Sequence, residues 1–357
     1  MENKKNIRKM IDNLCLLLII KTNKGVINMN MKKIGLTALG TSLIATSAMA
    51  GEMGVTGSAG ITFSGQNKYD SGNTFSMTDS VTFSGGGEMD NGWNVTVNME
   101  VENNAQMASG NNMDSRSVVI DMGDMGTLTF AGHGGSTAAS AVDDMTPSAY
   151  GESWDVIGST AARTGGSTSK VGAIGGYGDD KTFMYNAPAM IDGLGLNVSY
   201  VPSHTDRPES TLSFAAAYSG VDGLTIGYAV DSNGKTGTTA TTEEIENELM
   251  YITYAYDAFT VGYQSNEADG ATSDNDDDMT AYGITYAISD DLSIGYNYSE
   301  INLGDKTADQ ESTNYSFSYT MGSMTIAGAI VSMDNSGGST ATRDDIEGYE
   351  LDVSFAF

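Results

Sequence analysis

The sequence predicts an all-β fold, a 16-stranded antiparallel transmembrane β-barrel with short periplasmic turns, long extracellular loops and a long inward-folded third loop. Three observations predict it. An export signal precedes the main part of the chain, sixteen segments alternate apolar and polar residues, and the connections alternate between long and short. Alternation gives a strand two different faces. Loops sorted by length onto two rims are typical of a membrane barrel, whereas a soluble β-sandwich, the alternative, gives no reason for such sorting.

The first fifty residues are interpreted as processing signals. Met31-Lys32-Lys33, an apolar stretch from Ile34 to Ala45 and the small residues of Ala48-Met49-Ala50 form a secretory signal peptide over 31–50, cleaved after Ala50. Residues 1–30 are interpreted as a start codon assigned too early, or alternatively as a leader extension. Export is therefore expected for the mature chain, 51–357.

Removal of the leader changes the charge and the cysteine content. Eight of the 17 basic residues and two of the 46 acidic ones lie in 1–50, which leaves 9 basic and 44 acidic residues and a net charge of −35. Phosphates are bound by Lys and Arg, so nucleic acid is a poor partner for so acidic a chain. The single Cys, Cys15, also lies in the leader, so stability cannot come from disulfides.

The strands follow one another along the mature chain with a period of two. In 92–102 the apolar positions are Trp93, Val95, Val97, Met99 and Val101, with polar residues between them. The same alternation predicts sixteen strands, at 53–65, 74–84, 92–102, 116–122, 127–133, 181–187, 194–201, 211–218, 224–230, 247–256, 259–264, 279–287, 292–299, 313–321, 324–331 and 346–357.

Aromatic residues indicate which face meets lipid. All 30 Phe, Tyr and Trp residues are in the mature chain, and most fall on the apolar faces near strand ends, as in the interfacial girdles of membrane barrels. The opposite faces carry Thr, Ser, Asn, Gly and acids. Because buried polar groups without partners are costly, water is expected to fill the inside, and sixteen strands leave room for a channel.

Two motifs resemble the general bacterial porin family of Gram-negative outer membranes. One is the alternating C-terminal segment, and the other is the stretch Phe183-Met184-Tyr185-Asn186-Ala187-Pro188 after the longest loop. The resemblance implies a homotrimer in the outer membrane, in contact with lipid and lipopolysaccharide, and a third loop that narrows each channel. It also implies that the outer-membrane assembly machinery reads the C-terminal residues, which are Tyr349, Leu351, Val353, Phe355 and Phe357.

The third loop, 134–180, is the connection long enough to reach into the barrel, and it contains a cluster of acids. The residues expected at the pore constriction are Asp143, Asp144, Glu152, Asp155, Arg163, Lys170 and Lys181, and those expected on the lumen wall are Glu100, Glu102, Asp121, Glu350 and Asp352. All nine basic residues of the mature chain are expected in loops or at strand ends. Rings of Asp and Glu favour cations, so a cation preference is expected; a solvated acidic loop is the alternative.

The sixth loop is a possible calcium site, because hard cations take several carboxylate oxygens. Its acids are Asp274, Asp276, Asp277 and Asp278. The spacing is irregular, and a solvated acidic loop is again the alternative.

No catalytic constellation is recognisable. His133 and His204 lack a recognisable Ser or Asp pairing, and no other cofactor site is apparent, so an enzyme is not expected. The expected function is passive diffusion of ions and small hydrophilic solutes through a water-filled pore. The alternative is a non-conducting outer-membrane barrel with a structural or adhesin role.

Overall fold

The computed structural model describes residues 53–67, 74–102, 113–154, 181–203, 209–233, 245–270, 276–304, 306–338, 340 and 345–357. Sixteen strands form one closed antiparallel barrel, in which each strand pairs with its sequence neighbours and β1 closes on β16. The strands are β1 Met53–Gln66, β2 Thr74–Glu88, β3 Asn94–Glu102, β4 Met113–Asp121, β5 Thr127–His133, β6 Thr182–Asn186, β7 Leu194–Val201, β8 Thr211–Val221, β9 Leu224–Asn233, β10 Ile245–Tyr256, β11 Phe259–Asp269, β12 Asp277–Ala287, β13 Leu292–Leu303, β14 Gln310–Met321, β15 Met324–Asp334 and β16 Ile346–Ala356.

The predicted fold class is therefore confirmed, and the alternative of a two-sheet sandwich is wrong.

Closure of the barrel depends on the two ends of the mature chain. The register of β1 on β16 runs from Ser58 opposite Ala356 to Gln66 opposite Gly348. Gly57 and Phe357 exchange backbone hydrogen bonds of 2.8 and 2.9 Å, which extend the ladder to the last residue. Among the described residues, no helix is long and apolar enough to cross a membrane.

The two faces of the barrel differ as the alternation predicts. On β11 the outward side chains of Phe259, Val261 and Tyr263 are exposed, while the inward Gln264 and Asn266 are buried. Aromatic rings contact one another on the outer face, as in the pair Tyr282 and Tyr298, whose centroids are 5.1 Å apart. An apolar exposed surface of this extent needs a lipid or protein neighbour rather than water.

Several strands extend further than their sequence patterns predict. β11 continues to Asp269 instead of ending near residue 264, and β4 begins at Met113 instead of residue 116. In the β11 extension the residues on both faces are polar apart from Ala268, so the apolar alternation that marks a strand within the membrane is lost. A register shift between Glu100 and Val101 also hides the start of β4.

Candidate pore constriction

The described part of the third loop, residues 134–154, lies inside the barrel. The backbone N–H groups of Ala138 and Ala139 donate to the hydroxyls of Ser199 on β7 and Ser213 on β8, both at 2.8 Å. Both serines occupy inward positions and are buried. The loop therefore begins its course on the inner wall immediately after β5.

The same stretch then crosses the wall towards β14. The Met145 N–H donates to Gln264 Oε1 on β11 at 2.7 Å, and the Asn314 side-chain amide on β14 donates to the Gly151 carbonyl at 2.9 Å. The hydroxyls of Ser153 and of Ser299 on β13 are 2.8 Å apart. Side chains of the wall thus satisfy backbone groups of the loop, which would otherwise lack partners in this position.

Three inward glycines make room for the loop on neighbouring strands. A Cβ atom at Gly262 on β11 would collide with the Pro147 ring, and one at Gly283 on β12 would collide with the Pro147 carbonyl. A Cβ at Gly295 on β13 would lie 2.8 Å from the Ala149 nitrogen. Since Gly262 and Gly283 are register partners, the glycines form a seat for residues 147–149.

Tyr150 joins the loop to the last strand. Its hydroxyl donates a short hydrogen bond to Glu350 on β16, and its ring packs against the buried Val331, Met333 and Ile346. Burial, the hydrogen bond and the negative charge of Glu350 raise the pKa of Tyr150 far above its usual value. The phenol therefore stays protonated and remains a donor.

Trp154 holds the far end of the described stretch. It is buried with inward residues of β11, β12 and β13, among them Ala268, Met279 and Ile301. Pro147, Tyr150 and Trp154 thus all pack against the wall.

The opposite part of the wall stays open. Inward side chains of β7–β15 are mostly buried under the loop, whereas those of β16 and β1–β4 are partly exposed. On the open side Thr62 donates to Asp352 Oδ1 at 2.8 Å, and Ser115 donates to Glu100 Oε2 at 3.1 Å. The lumen therefore runs between the third loop and a wall of hydroxyls, amides and carboxylates.

The family-model comparison matches this chain over residues 35–339 to the family described as Gram-negative porin. The chain belongs to the Gram-negative porin family. Solved structures similar to it include an anion-selective porin from Comamonas acidovorans, at 12% identity and a TM-score of 0.64, covering 86% of this chain and 100% of that one. A mutant of the Rh. blastica porin has 15% identity and a TM-score of 0.60, with coverage of 86% and 100%.

A third similar structure is Salmonella typhi OmpF in complex with daunomycin. It has 13% identity and a TM-score of 0.59, covering 86% of this porin and 98% of that chain. No curated protein matches the sequence. At these identities the structures show the shared barrel, and the charge of the pore has to be read from the residues of this porin itself.

Three of the residues expected at the constriction lie on the part of the third loop that the structure describes. Asp143 and Asp144 precede Met145 on the loop, and the Asp143 carbonyl accepts a hydrogen bond from Asn266 at 3.2 Å. Glu152 lies between the anchored Gly151 and Ser153. Lys181 is exposed and adopts a positive φ of 62° immediately before β6. Asp155, Arg163 and Lys170 lie outside the described residues.

The expected lumen-wall residues divide into three kinds. Glu100, Glu102 and Asp352 face inward on the open wall, half-buried. Glu350 also faces inward, but its carboxylate accepts the hydrogen bond from the Tyr150 hydroxyl. Asp121 does not lie at mid-wall, because β4 ends there and its carboxylate accepts a hydrogen bond from the Gly123 N–H at 2.9 Å in the following turn.

Arg116 corrects the expectation that every basic residue lies in a loop or at a strand end. It is the fourth residue of β4 and pairs with Met99. Because Met99 and Val118 face outward, Arg116 also lies on the outer face and cannot oppose the acids of the loop.

The sixth-loop acids point in different directions. Asp277 faces inward and accepts the Gly304 N–H at 3.1 Å, Asp278 faces outward, and Asp276 accepts the Gly270 N–H at 3.1 Å. Asp274 lies outside the described residues, within which no group of three or more His, Cys, Asp or Glu side chains is placed to hold a metal ion. Calcium binding stays a prediction.

Sequence reasoning missed the residues that seat the loop, namely Gln264, Ser199, Ser213 and the three glycines. One signal was available, since Gly262 alternates with Val261 and Tyr263 and Gly283 alternates with Tyr282 and Ile284, which puts both glycines on the inner face, where they are register partners. Two glycines at one inward level indicate that another backbone approaches closely.

Proposed function

We propose that this porin, an outer-membrane channel by family and fold, lets ions and small hydrophilic solutes diffuse passively and favours cations. One observation supports the cation preference: acidic residues occur both on the open wall and on the third loop that lies across from it. Glu100, Glu102 and Asp352 lie on the open wall, and Asp143, Asp144 and Glu152 lie on the facing loop. Low-dielectric walls concentrate the field of such groups, and acidic rings favour cations.

The described basic residues do not offset these acids. Arg116 is on the outer face, Lys181 lies at the loop-bearing end of β6, and Lys306 follows β13 near Gly338. The Comamonas porin is anion-selective by name, but at that identity it shares the barrel rather than the charges of the pore.

The proposal includes association into a homotrimer, contact with outer-membrane lipid and lipopolysaccharide, and recognition of the last strand by the assembly machinery. The geometry of the C-terminus supports the last point. The Phe357 ring lies over Gly57 on the outer face and remains 74% exposed in the closed barrel, which leaves it accessible to a partner protein.

Planar-bilayer recording tests the channel. A steady open level is expected for the wild type, and a barrel that inserts but shows no open level would favour the structural or adhesin role.

The double variant Glu100→Gln with Glu102→Gln is expected to lower the cation-to-anion permeability ratio. The matched control Glu311→Gln removes a carboxylate from the outer face of β14 and is expected to leave the ratio unchanged. Equal ratios in the wild type and the double variant would contradict the role of the wall acids.

A further inference from the structure

Three neighbouring turns at the short-turn end of the barrel carry exposed apolar side chains. The turns are 122–126 between β4 and β5, 187–193 between β6 and β7, and 219–223 where β8 meets β9. Met190 and Ile191 on the middle turn are 70% and 59% exposed. Met125 on the first turn is 52% exposed, and Val221 on the third is exposed as well. Each turn thus presents apolar surface at the rim.

The three turns pack side by side. A Cβ atom at Gly126 would collide with the Asn186 carbonyl and lie 3.1 Å from the Pro188 ring, so the first turn lies against the second. The Ser219 N–H donates to the Gly193 carbonyl at 2.7 Å, which joins the third turn to the second. Successive hairpin turns are two strands apart, so roughly 20 Å separates the first turn from the third. The apolar side chains therefore belong to one row of turns.

This row lies beyond the tyrosines that mark the edge of the membrane. The hydroxyl of Tyr185 on β6 donates to the Met125 carbonyl at 2.8 Å. Tyr218 on β8 pairs with the outward Ile226, and a Cβ atom at Gly220 would collide with its hydroxyl. Tyrosines at a membrane interface place the hydroxyl on the wet side. The row is therefore in water, where an apolar patch among polar residues marks a contact with another protein.

The charges beside these apolar side chains are all negative. Each turn carries one aspartate, and the three are Asp124, Asp192 and Asp222. The seven short turns, from the one between β2 and β3 to the one between β14 and β15, are described throughout and contain no Lys, Arg or His. A second rim of this kind, or an anionic lipid headgroup, would meet like charge here. A protein segment with basic side chains is the complementary partner.

We propose that this row of turns is a docking surface for a basic amphipathic segment of another protein, on the periplasmic side in the predicted orientation. The partner's apolar side chains cover the four exposed ones, and its Lys or Arg side chains pair with the three aspartates. About 14 residues of helix span roughly 20 Å, so one short helix reaches all three turns. Methionine adapts to partners of different shape. The lumen takes no part, so this role is separate from the proposed channel function.

Peptide binding to the whole mature chain in phosphatidylcholine nanodiscs tests the surface. The probe is a fluorescent peptide of about 14 residues, with Leu on one helical face and Lys on the other. Anisotropy above that with empty nanodiscs is expected to show binding at low salt. A matched peptide with Glu in place of Lys is expected to bind about tenfold more weakly or worse. Absence of binding, or equal binding of the two peptides, would overturn the proposal.

Variants of exposed residues locate the binding. Met190→Ser with Ile191→Ser is expected to weaken it about tenfold or more, because two apolar side chains lose their buried area. The matched control Ile288→Ser with Met321→Ser removes two exposed apolar side chains from other turns of the rim and is expected to leave binding unchanged. Equal losses in both variants would contradict the row as the binding surface. Heat-modifiable gel mobility and an unchanged open level check that each barrel folds.

Two other places for the row or the peptide are separable by experiment. The mature chain has no Cys, so Ile191→Cys takes one fluorophore on the row and Val261→Cys takes one on the lipid-facing wall. Nitroxide-labelled lipid is expected to quench the second label and not the first. Quenching of both would make the row a membrane contact and overturn the proposal. Peptide binding abolished by Glu100→Gln with Glu102→Gln would place the peptide in the lumen, with the same consequence.

Discussion

The hydrogen bond from Tyr150 to Glu350 links the loop that narrows the lumen to the strand that closes the barrel. It explains why an inward carboxylate sits against an apolar cluster formed by Val331, Met333 and Ile346. The donor relieves part of the cost of burying the carboxylate. The contact therefore takes Glu350 out of the set of freely exposed pore charges and makes it an anchor for the loop.

We expect Tyr150→Phe to lower the free energy of unfolding by about 1–3 kcal/mol, because a hydrogen bond to a charged group is lost and its acceptor stays buried. Urea unfolding in detergent measures this difference in the free energy of unfolding.

The folded barrel holds the Tyr150 proton more tightly than the unfolded chain does, because burial raises the pKa of Tyr150. The stabilisation by Tyr150 is thus complete below about pH 10, the ordinary Tyr value, and falls above it. The gap between wild type and variant should narrow above that pH, and a gap that widens there would contradict the contact.

The third loop keeps its position through small wall residues rather than through a large core of its own. Gly262, Gly283 and Gly295 let its backbone approach the wall, and serines with Gln264 supply hydrogen-bond partners. A barrel strand can carry such residues because its closure does not depend on inward packing. The same strands present Tyr and Phe outward. Their alternating residues therefore contact the membrane on the outer face and the third loop on the inner face.

We expect Gly283→Ala to displace the loop, because the new methyl group collides with the Pro147 carbonyl and overpacking costs about 1–3 kcal/mol. Single-channel conductance should change, and protease should cut the loop faster. The matched control is Gly195→Ala on β7, which is also an inward strand glycine but has its nearest atom 3.9 Å away. An identical response of the two variants would show that the seat is not what positions the loop.

The sequence predicts the barrel well because consecutive residues of a strand point to opposite faces, so the difference between the lipid-facing and inner faces is visible as an alternation of apolar and polar residues. The prediction of strand bounds fails where both faces of a strand are similarly polar, as in Ser265–Asp269 of β11. It also fails where a register shift interrupts the alternation, as before Arg116. The third loop is predictable in length and in its acids. Its seat is not, because contacts such as Met145 to Gln264 join residues 119 positions apart and depend on which strands closure brings under the loop.

Charge is distributed over the whole barrel according to the surroundings of each surface. The mature chain keeps a net charge of −35, with carboxylates in the lumen and at the loop-bearing ends of the strands, and Asp79 and Arg116 within the apolar wall. Exposed charges act over about 10 Å at 0.1 M salt and about 3 Å at 1 M. We therefore expect the cation preference to weaken as salt rises, measured as the permeability ratio at increasing mean KCl concentration. A ratio independent of salt would point to steric selection instead.

The reversal potential of the wild-type channel across a KCl gradient, at low mean salt in a planar bilayer, tests the central claim most directly. When cations pass more readily than anions, positive charge moves from the concentrated to the dilute side. The dilute side then becomes positive, and we expect that sign. The double variant Glu100→Gln with Glu102→Gln should move the potential towards zero. A dilute side that becomes negative would show anion selectivity and contradict the assignment of the lumen carboxylates as the groups that select ions.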